Sequence, residues 1–480
     1  MTESVGGRAR YRPVRAPPAR RGPVSPVHAP AGVRLLADPG LRRIDGGRVM
    51  IGGGPLRIIR LSARGADVVD AWLGGRPVAD VKSARRLARR LLDAGMVHPV
   101  TAPEPRIVED VTVVVPAKDA PAGVDRLLVS LGRVPVVVVD DGSEQPAALA
   151  EVCAGHGARL IRRASSGGPG PARNTGLEEV RTGFVAFVDH DVEVEPGWLA
   201  ALGGHFVDDT VVAVAPRVRS RPGPGLRARY EAEHSPLDLG PSPALVGPGR
   251  RVGYVPTAAL VARTDAIRAV GGFDPGLRFG EDVDLIWRLI DGGGTVRYEP
   301  AVEVTHDPRG SWAGWARQRW QYGRSATALG LRHGARVAPA RCSRWSAAAW
   351  GAVAFGRPLL GVGVAAGSSA ALVPKLRAIP GSTVEAIRLS ATGHLHAGLG
   401  LARATARVWW PLAVVGALVV PRLRAAVAAA LVVPSLLDWR RGRRPTGPIR
   451  SVALRVADDL AYGAGVWDGA VRDRSAVALR

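Results

Sequence analysis

Cysteine is nearly missing from this chain: Cys153 and Cys342 are the only two in 480 residues. They stand far apart without metal-type spacing, which excludes a disulfide framework and a thiolate metal site and predicts a reduced, cytoplasmic protein. Acidic residues are short as well, 42 against 65 basic ones, for a formal net charge of +23. Such an excess predicts an anionic partner, whether nucleic acid, a phospholipid surface or a phosphorylated small molecule, and does not choose among them. The first thirty residues, rich in Arg and Pro, lack the apolar central run of a signal peptide, so 1–32 is expected to be a disordered basic tail. Long hydrophobic runs are lacking too. The most apolar stretches, 358–373, 411–420 and 425–437, each fall short of the roughly 20 residues that a membrane-crossing helix needs.

What is present divides the chain. Over 33–100, "RVMIGGGPLRIIRLS" predicts two short strands around a glycine turn, followed by helices in "ARGADVVDAWLGG" and "SARRLARRLLDAGMV", the second basic on its outer face. The Pro-rich, charged stretch 101–110 reads as a linker. Over 111–335, "VTVVVPAKD", "VPVVVVDDGS", "ARLIRR", "FVAFVDHD" and "VVAVAPRV" are apolar runs of strand length between helix-like segments. Strands buried on both faces with helices between them predict a doubly wound, mainly parallel sheet of the α/β class. From 336 to 480 the composition turns to Trp, Ala, Val, Leu and Arg. Arg357, Arg422 and Arg424 bracket its apolar runs, and Trp409 and Trp410 sit at an edge. This apolar helical region is expected to be membrane-associated, with a buried helical subdomain as the alternative.

In open sheets ligands bind beyond the carboxyl ends of the strands. Here three such ends are acidic: Asp119, then Asp140 with Asp141, then Asp189 with Asp191. Turn or cap chemistry would account for any one of them. Three in register along one edge are better explained by a site, and a divalent cation taking oxygen ligands would offset the repulsion between paired carboxylates. In "GGPGPARNTGL" glycines allow close backbone approach, and Arg173 stands near a helix start, a cradle suited to a diphosphate or simply a flexible loop with a proline helix start. "GEDVDLIWRL" opens a helix on Glu281 and Asp282, where carboxylates favour the helix dipole. Asp284 and Arg288 are spaced to pair along it.

The ordered set "VPAKD", "VVVDDGS", "GGPGPARNTGL", "FVDHD" and "GEDVDLIWRL" resembles the family-two glycosyltransferases of the GT-A fold over residues 110 to 310. That resemblance implies an inverting, metal-dependent transfer of a sugar from a sugar nucleotide. It places Asp119, Asp141, Arg173 and Asp189 on the donor, and Asp191, Asp189 and His306 (in "VEVTHDPRG") on a Mg2+ or Mn2+ ion. It makes Asp282, beside Glu281, the base that deprotonates the acceptor hydroxyl. His190, between the two aspartates, is read as structural. Arg319 and Trp320 stand where relatives that extend β-glycans carry a Q/R-x-x-R-W acceptor motif, although Ala316 occupies its first position.

The first unit resembles the PqqD-like, winged-helix peptide-recognition modules. Joined to a family-two domain and an apolar tail, it is similar to the mycofactocin-system glycosyltransferases. What that implies is UDP-glucose as donor, the peptide-derived pre-mycofactocin as acceptor and a β-linked oligoglucose product, while the apolar tail sets the expectation of a cytoplasmic catalytic domain at the inner face of the cell membrane. The alternatives are a membrane polysaccharide or polyprenyl-phosphate glycosyltransferase and a nucleic-acid binder using the winged unit. Nucleic acid is not expected, because the positive charge is spread along the whole chain and leaves the acidic strand ends unexplained.

Overall fold

A computed structural model describes residues 28–442 and 446–480. The expected basic tail therefore lies outside the described residues up to position 27. Ala29 is already fully buried, and its N–H donates to the Arg85 carbonyl, so the first folded unit begins before residue 33. In that unit β1 (Arg34–Ala37) pairs antiparallel with β5 (Val97–Val100), and β2 (Arg42–Ile44), β3 (Val49–Gly52) and β4 (Arg57–Arg60) form a three-stranded antiparallel sheet. Helices α1 (Ala63–Leu73) and α2 (Lys82–Ala94) close over it, burying Met50, Ile59, Val69, Trp72, Leu91 and Leu92. Lys82, Arg86 and Arg90 stay exposed along α2, the basic outer face the sequence predicts.

Nine strands make the central sheet. Their ranges are β6 (Val111–Ala117), β7 (Val136–Asp140), β8 (Arg159–Arg162), β9 (Phe184–Val188), β10 (Val192–Val194), β11 (Val211–Ser220), β12 (Ala244–Leu245), β13 (Ala259–Arg263) and β14 (Thr295–His306). The order is β8-β7-β6-β9-β13-β11-β14-β10, with β12 on β14. Strands β8, β7, β6 and β9 run parallel, as do β11 and β14; β13, β10 and β12 are antiparallel to their neighbours. The uninterrupted valines of β6 and β7 are explained by cover on both faces. Val111, Val113 and Val115 pack with α3 (Pro121–Leu131) and α4 (Pro146–Gly155), whereas Val114 faces the opposite core, which includes Leu177 of α5 (Pro169–Glu179) and Leu285 of α9 (Glu281–Asp291). Gly176 lets α5 lie on the sheet: a Cβ there would come within 2.3 Å of Val114 Cγ1. Shorter helices α6 (Trp198–Gly203), α7 (Leu226–His234) and α8 (Thr264–Ala269) complete this domain.

The sheet leads into α10 (Trp312–His333), after which come α11 (Arg344–Ala354), α12 (Pro358–Leu376), α13 (Ser382–Arg407), α14 (Trp410–Val419), α15 (Arg424–Arg441) and α16 (Pro448–Arg472). α16 returns to lie along α10 through glycines. A Cβ on Gly323 would be 1.9 Å from the Tyr462 carbonyl oxygen, and one on Gly465 would be 2.0 Å from that of Trp320.

Two sequence expectations change here. Residues 101–110 are no free tether, because Glu104 N–H donates to the Ala200 carbonyl and Ile107 is buried against the catalytic domain. The apolar run at 358–373 is the bulk of a 19-residue helix, α12, long and apolar enough to cross a membrane by length and composition. Counting only uninterrupted apolar residues missed its last turn, where the helix continues through Pro374 and Lys375.

Candidate active site

Because β7, β6 and β9 are adjacent and parallel, their carboxyl ends bring Asp140 and Asp141, Asp119 and Asp189 to one edge. Asp119 has a φ of 50°, a left-handed conformation that a non-glycine residue rarely adopts. It is held there by its N–H donating to Ser143 Oγ at 2.9 Å and by its Oδ1 accepting from Glu144 N–H at 2.7 Å. Asp140 is a turn residue, accepting from Ser143 N–H at 2.8 Å. Asp141 is saturated. It accepts from Arg163, from Ser166 Oγ at 2.8 Å, and from the N–H groups of Gly167 and Gly168 at 3.0 and 2.7 Å, latching the loop before α5 onto the sheet.

Arg173 is not presented to an open cleft. Its buried guanidinium donates to Asp189 Oδ1 at 2.6 Å and to Glu281 Oε1 at 3.0 Å and lies over the Phe273 ring. As a positive centre between two carboxylates, it ties α9 to the end of β9 in place of the expected cradle for a diphosphate.

The remaining strand-end carboxylate turns the other way. Asp191 Oδ1 is 3.4 Å from His306 Nε2, and Arg309 Nη1 is 3.8 Å from Asp191 Oδ2. Antiparallel pairing of β10 with β14, in which Val192 faces His306, creates this juxtaposition across more than a hundred residues. Burial opposes charge on Asp191 but is outweighed by His306, His190 and Arg309, which hold its carboxyl well below the usual range; His306 is raised in turn, the Asp191 charge overcoming its burial. A ring of ion pairs braces the corner: Arg126 bonds Asp307 at 2.6 Å, and Arg221 bonds Asp307 and Glu193, each at 2.5 Å. Of the three expected metal ligands, Asp191 and His306 come together while Asp189 is engaged by Arg173. Among the described residues no group of three His, Cys, Asp or Glu side chains could hold a metal by itself. His190 Nδ1 lies 3.3 Å from the Pro116 carbonyl, in keeping with a structural role.

At the start of α9, burial followed by the charge of Asp282 pushes Glu281 up to about 7, against the pull of Arg173. Burial also pushes Asp282 up to about 6, against a hydrogen bond from Val283 N–H at 2.7 Å. Asp284 bonds Arg288 at 2.7 Å, the helix pair the spacing predicts. Two carboxyls that gain and lose protons near neutrality at the mouth of the acidic edge are suited to accept a proton from a hydroxyl.

Arg319 is displaced from its expected acceptor role. It is 1% exposed, sealed between Glu231 of α7 and Asp458 of α16 and stacked on Trp315. Trp320 is half-buried, under Arg324. One residue of this helix that sequence reading missed is Tyr322, whose neighbours include Asp282 and Asp189. No motif marks it, and its only signal was its i, i+4 spacing from Gln318.

A family model described as "Glycosyl transferase family 2" matches residues 112–267. The pre-mycofactocin glycosyltransferases of Mycobacterium tuberculosis strains CDC 1551 and ATCC 25618 / H37Rv are each 41% identical to this chain over 472 residues, covering 94% of it and 98% of the relative. The chain belongs to glycosyltransferase family 2. As a family-two glycosyltransferase it carries the GT-A fold, and the mixed, mostly parallel sheet described above is that fold. A solved structure similar to it is the mannosyltransferase PcManGT from Pyrobaculum calidifontis in complex with GDP-Man and Mn2+, at 19% identity and a TM-score of 0.43, covering 79% of this chain and 93% of that one.

Proposed function

We propose that this family-two glycosyltransferase moves glucose from UDP-glucose to a peptide-derived acceptor, pre-mycofactocin, with inversion, and that repeated transfer builds a β-linked oligoglucose chain. The acceptor is carried over from the names of the full-length relatives. The observation that carries the chemistry is the placing of Asp282, raised by burial to about 6, beside the acidic strand edge. An inverting transfer needs one base and no enzyme nucleophile: Asp282 takes the acceptor proton as its oxygen attacks, while Glu281 and Arg173 hold Asp189 and the end of α9 in place.

Asp191 and His306 fit a Mg2+ or Mn2+ site. His306 is buried and Asp191 half-buried, and they offer an oxygen and an imidazole nitrogen side by side. With only two protein ligands, the remaining coordination positions suit oxygens of a diphosphate. Such an ion supplies positive charge against the departing nucleoside diphosphate. Asp119 and Asp141 border the nucleoside end of the same edge.

The first unit, PqqD-like in this reading, holds the peptide-derived acceptor close to the catalytic edge. The helical region lies on the inner face of the cell membrane. Leu359, Leu418 and Val419 are 86, 71 and 74% exposed, with Arg357 just before α12, Arg422 between α14 and α15 and Arg424 at the start of α15. The exposure of α12 also supports a second reading, a transferase that glycosylates a membrane polysaccharide or a polyprenyl phosphate.

The deciding experiment incubates the full chain with UDP-glucose, Mn2+ and pre-mycofactocin and reads product masses. A ladder of hexose additions is expected, abolished by excess chelator and by Asp191→Ala with the far-UV circular dichroism unchanged. Full activity in chelator overturns the metal assignment. Transfer to a polyprenyl phosphate and none to the peptide-derived molecule overturns the acceptor.

A further inference from the structure

The segment "RQRWQY" of α10 is a chain of hydrogen bonds that begins in a buried ion cluster and ends at the catalytic edge. Glu231 and Asp458 lock the Arg319 guanidinium. Arg319 Nη1 donates to Gln318 Oε1 at 3.0 Å, which decides which end of the Gln318 amide is oxygen. The amide nitrogen is thereby left to donate, and Gln318 Nε2 bonds Tyr322 Oη at 3.2 Å. Because Gln318 occupies the accepting side of the phenol oxygen, the Tyr322 proton must point elsewhere. Among the described residues it has no acceptor.

Helix geometry says where it points. Gln318, Tyr322, Ser325 and Leu329 follow one another at four, three and four residues and share one face of α10. That face packs on the first turn of α9: a Cβ on Gly280, the residue before Glu281, would lie 3.1 Å from Ser325 Oγ and 2.9 Å from Leu329 Cδ1. Tyr322, one turn earlier, therefore sits over Glu281 and Asp282. Burial, and after it the neighbouring Asp282 charge, keeps its phenol protonated far above the ordinary tyrosine value, so it is a donor at every working pH.

We propose that Tyr322 is an acceptor-binding residue: its O–H donates to a hydroxyl oxygen of the incoming alcohol and holds that hydroxyl against Asp282, and Gln318 and Arg319 are positioning residues that aim it. This rests on the reading of Asp282 as base. Buried Arg319 then takes a part in transfer without touching the acceptor.

The test uses the full chain with UDP-glucose and measures two quantities: hexose transfer to pre-mycofactocin and UDP affinity. Tyr322→Phe removes one oxygen and keeps the ring. It is expected to lower kcat/KM for the acceptor by roughly 10- to 100-fold, the range for losing a hydrogen bond in a desolvated site, with UDP affinity within about twofold of the parent. Gln318→Leu frees the phenol to turn and is expected to raise the acceptor KM several-fold with UDP affinity unmoved. Unchanged acceptor kinetics in Tyr322→Phe overturn the proposal, as does an equal fall in UDP affinity, which would make the phenol a donor-site group. Asp282→Asn is assayed beside them: if it transfers at the parent rate the base assignment fails, whatever Tyr322 does.

Discussion

A single carboxyl, that of Asp282, is asked to be ionised where ionisation is costly. Burial raises both it and Glu281 toward neutrality, so the reactive carboxylate is populated only as pH climbs through that range. Transfer is expected to fall about tenfold per pH unit on the acid side, following the ionised fraction of a single base, as read from kcat between pH 5 and 8. Asp282→Asn is expected to cost roughly a hundredfold or more in kcat, the usual scale for removing a general base, with UDP affinity retained. Stability runs the other way. A group whose folded value is raised binds its proton more tightly when folded, so its contribution is fully present below the ordinary carboxylate value and is lost as pH rises toward the raised one. The neutral Asn variant is therefore expected to melt higher than the parent at pH 8 and no higher at pH 4. The strand-end carboxylates were legible in the sequence because turn chemistry, adequate for one strand that runs into Asp, does not account for three of them side by side. The arginines were not. Spacing puts Arg173 and Arg319 near the right elements, but which carboxylates draw their guanidiniums inward depends on Glu281, Glu231 and Asp458, contributed by distant helices.

Among the elements, α10 links chemistry to architecture. Its start follows the His306 to Arg309 corner, its middle stands over α9 and its back is pressed on α16 through Gly323 and Gly465. A methyl at Gly323 has no room beside the Tyr462 backbone, so Gly323→Ala must push the helices apart. Overpacking of this kind costs about 1–3 kcal/mol, to be measured by denaturant unfolding, and transfer should fall more than UDP affinity because Tyr322 moves with the helix. Strand and helix types were readable from the valine runs and from the amphipathic pattern of α1 and α2. The antiparallel insertion of β13 between β9 and β11 was not, since "ALVAR" is as short and apolar as many buried helical turns.

For the molecule as a whole, the first unit is built in and not merely tethered. Arg89 Nη2 bonds Asp208 of the catalytic domain at 2.6 Å, with both side chains buried, and Arg42 bonds Glu385 of α13 at 2.8 Å. Val49 and Ile51 of β3 share a core with Leu376, Ile379 and Ala386. Deleting residues 1–105 would strip that cover and take from Asp208 and Glu385 the arginines that pair with them. The expected outcome is a chain that is insoluble, or that loses acceptor-free hydrolysis and transfer together; a soluble truncation with parental hydrolysis would show that the unit is dispensable to the fold. On the same ground Arg89→Met should destabilise by about 3 kcal/mol or more, since it strands a buried charge, and adding Asp208→Leu should restore much of the loss in a thermal melt.

Time enters through Arg319. Its partner Asp458 lies 139 residues further along the chain, and a ribosome adding ~5–20 residues per second delivers it on the order of ten seconds later. Until then the guanidinium has Glu231 but not its second carboxylate, and α10 lacks the backing helix that fixes the aim of the Tyr322 hydroxyl. A nascent chain can thus complete its nucleotide edge well before α16 exists, and on the reading of Tyr322 as acceptor-binding, competence for transfer waits for that helix.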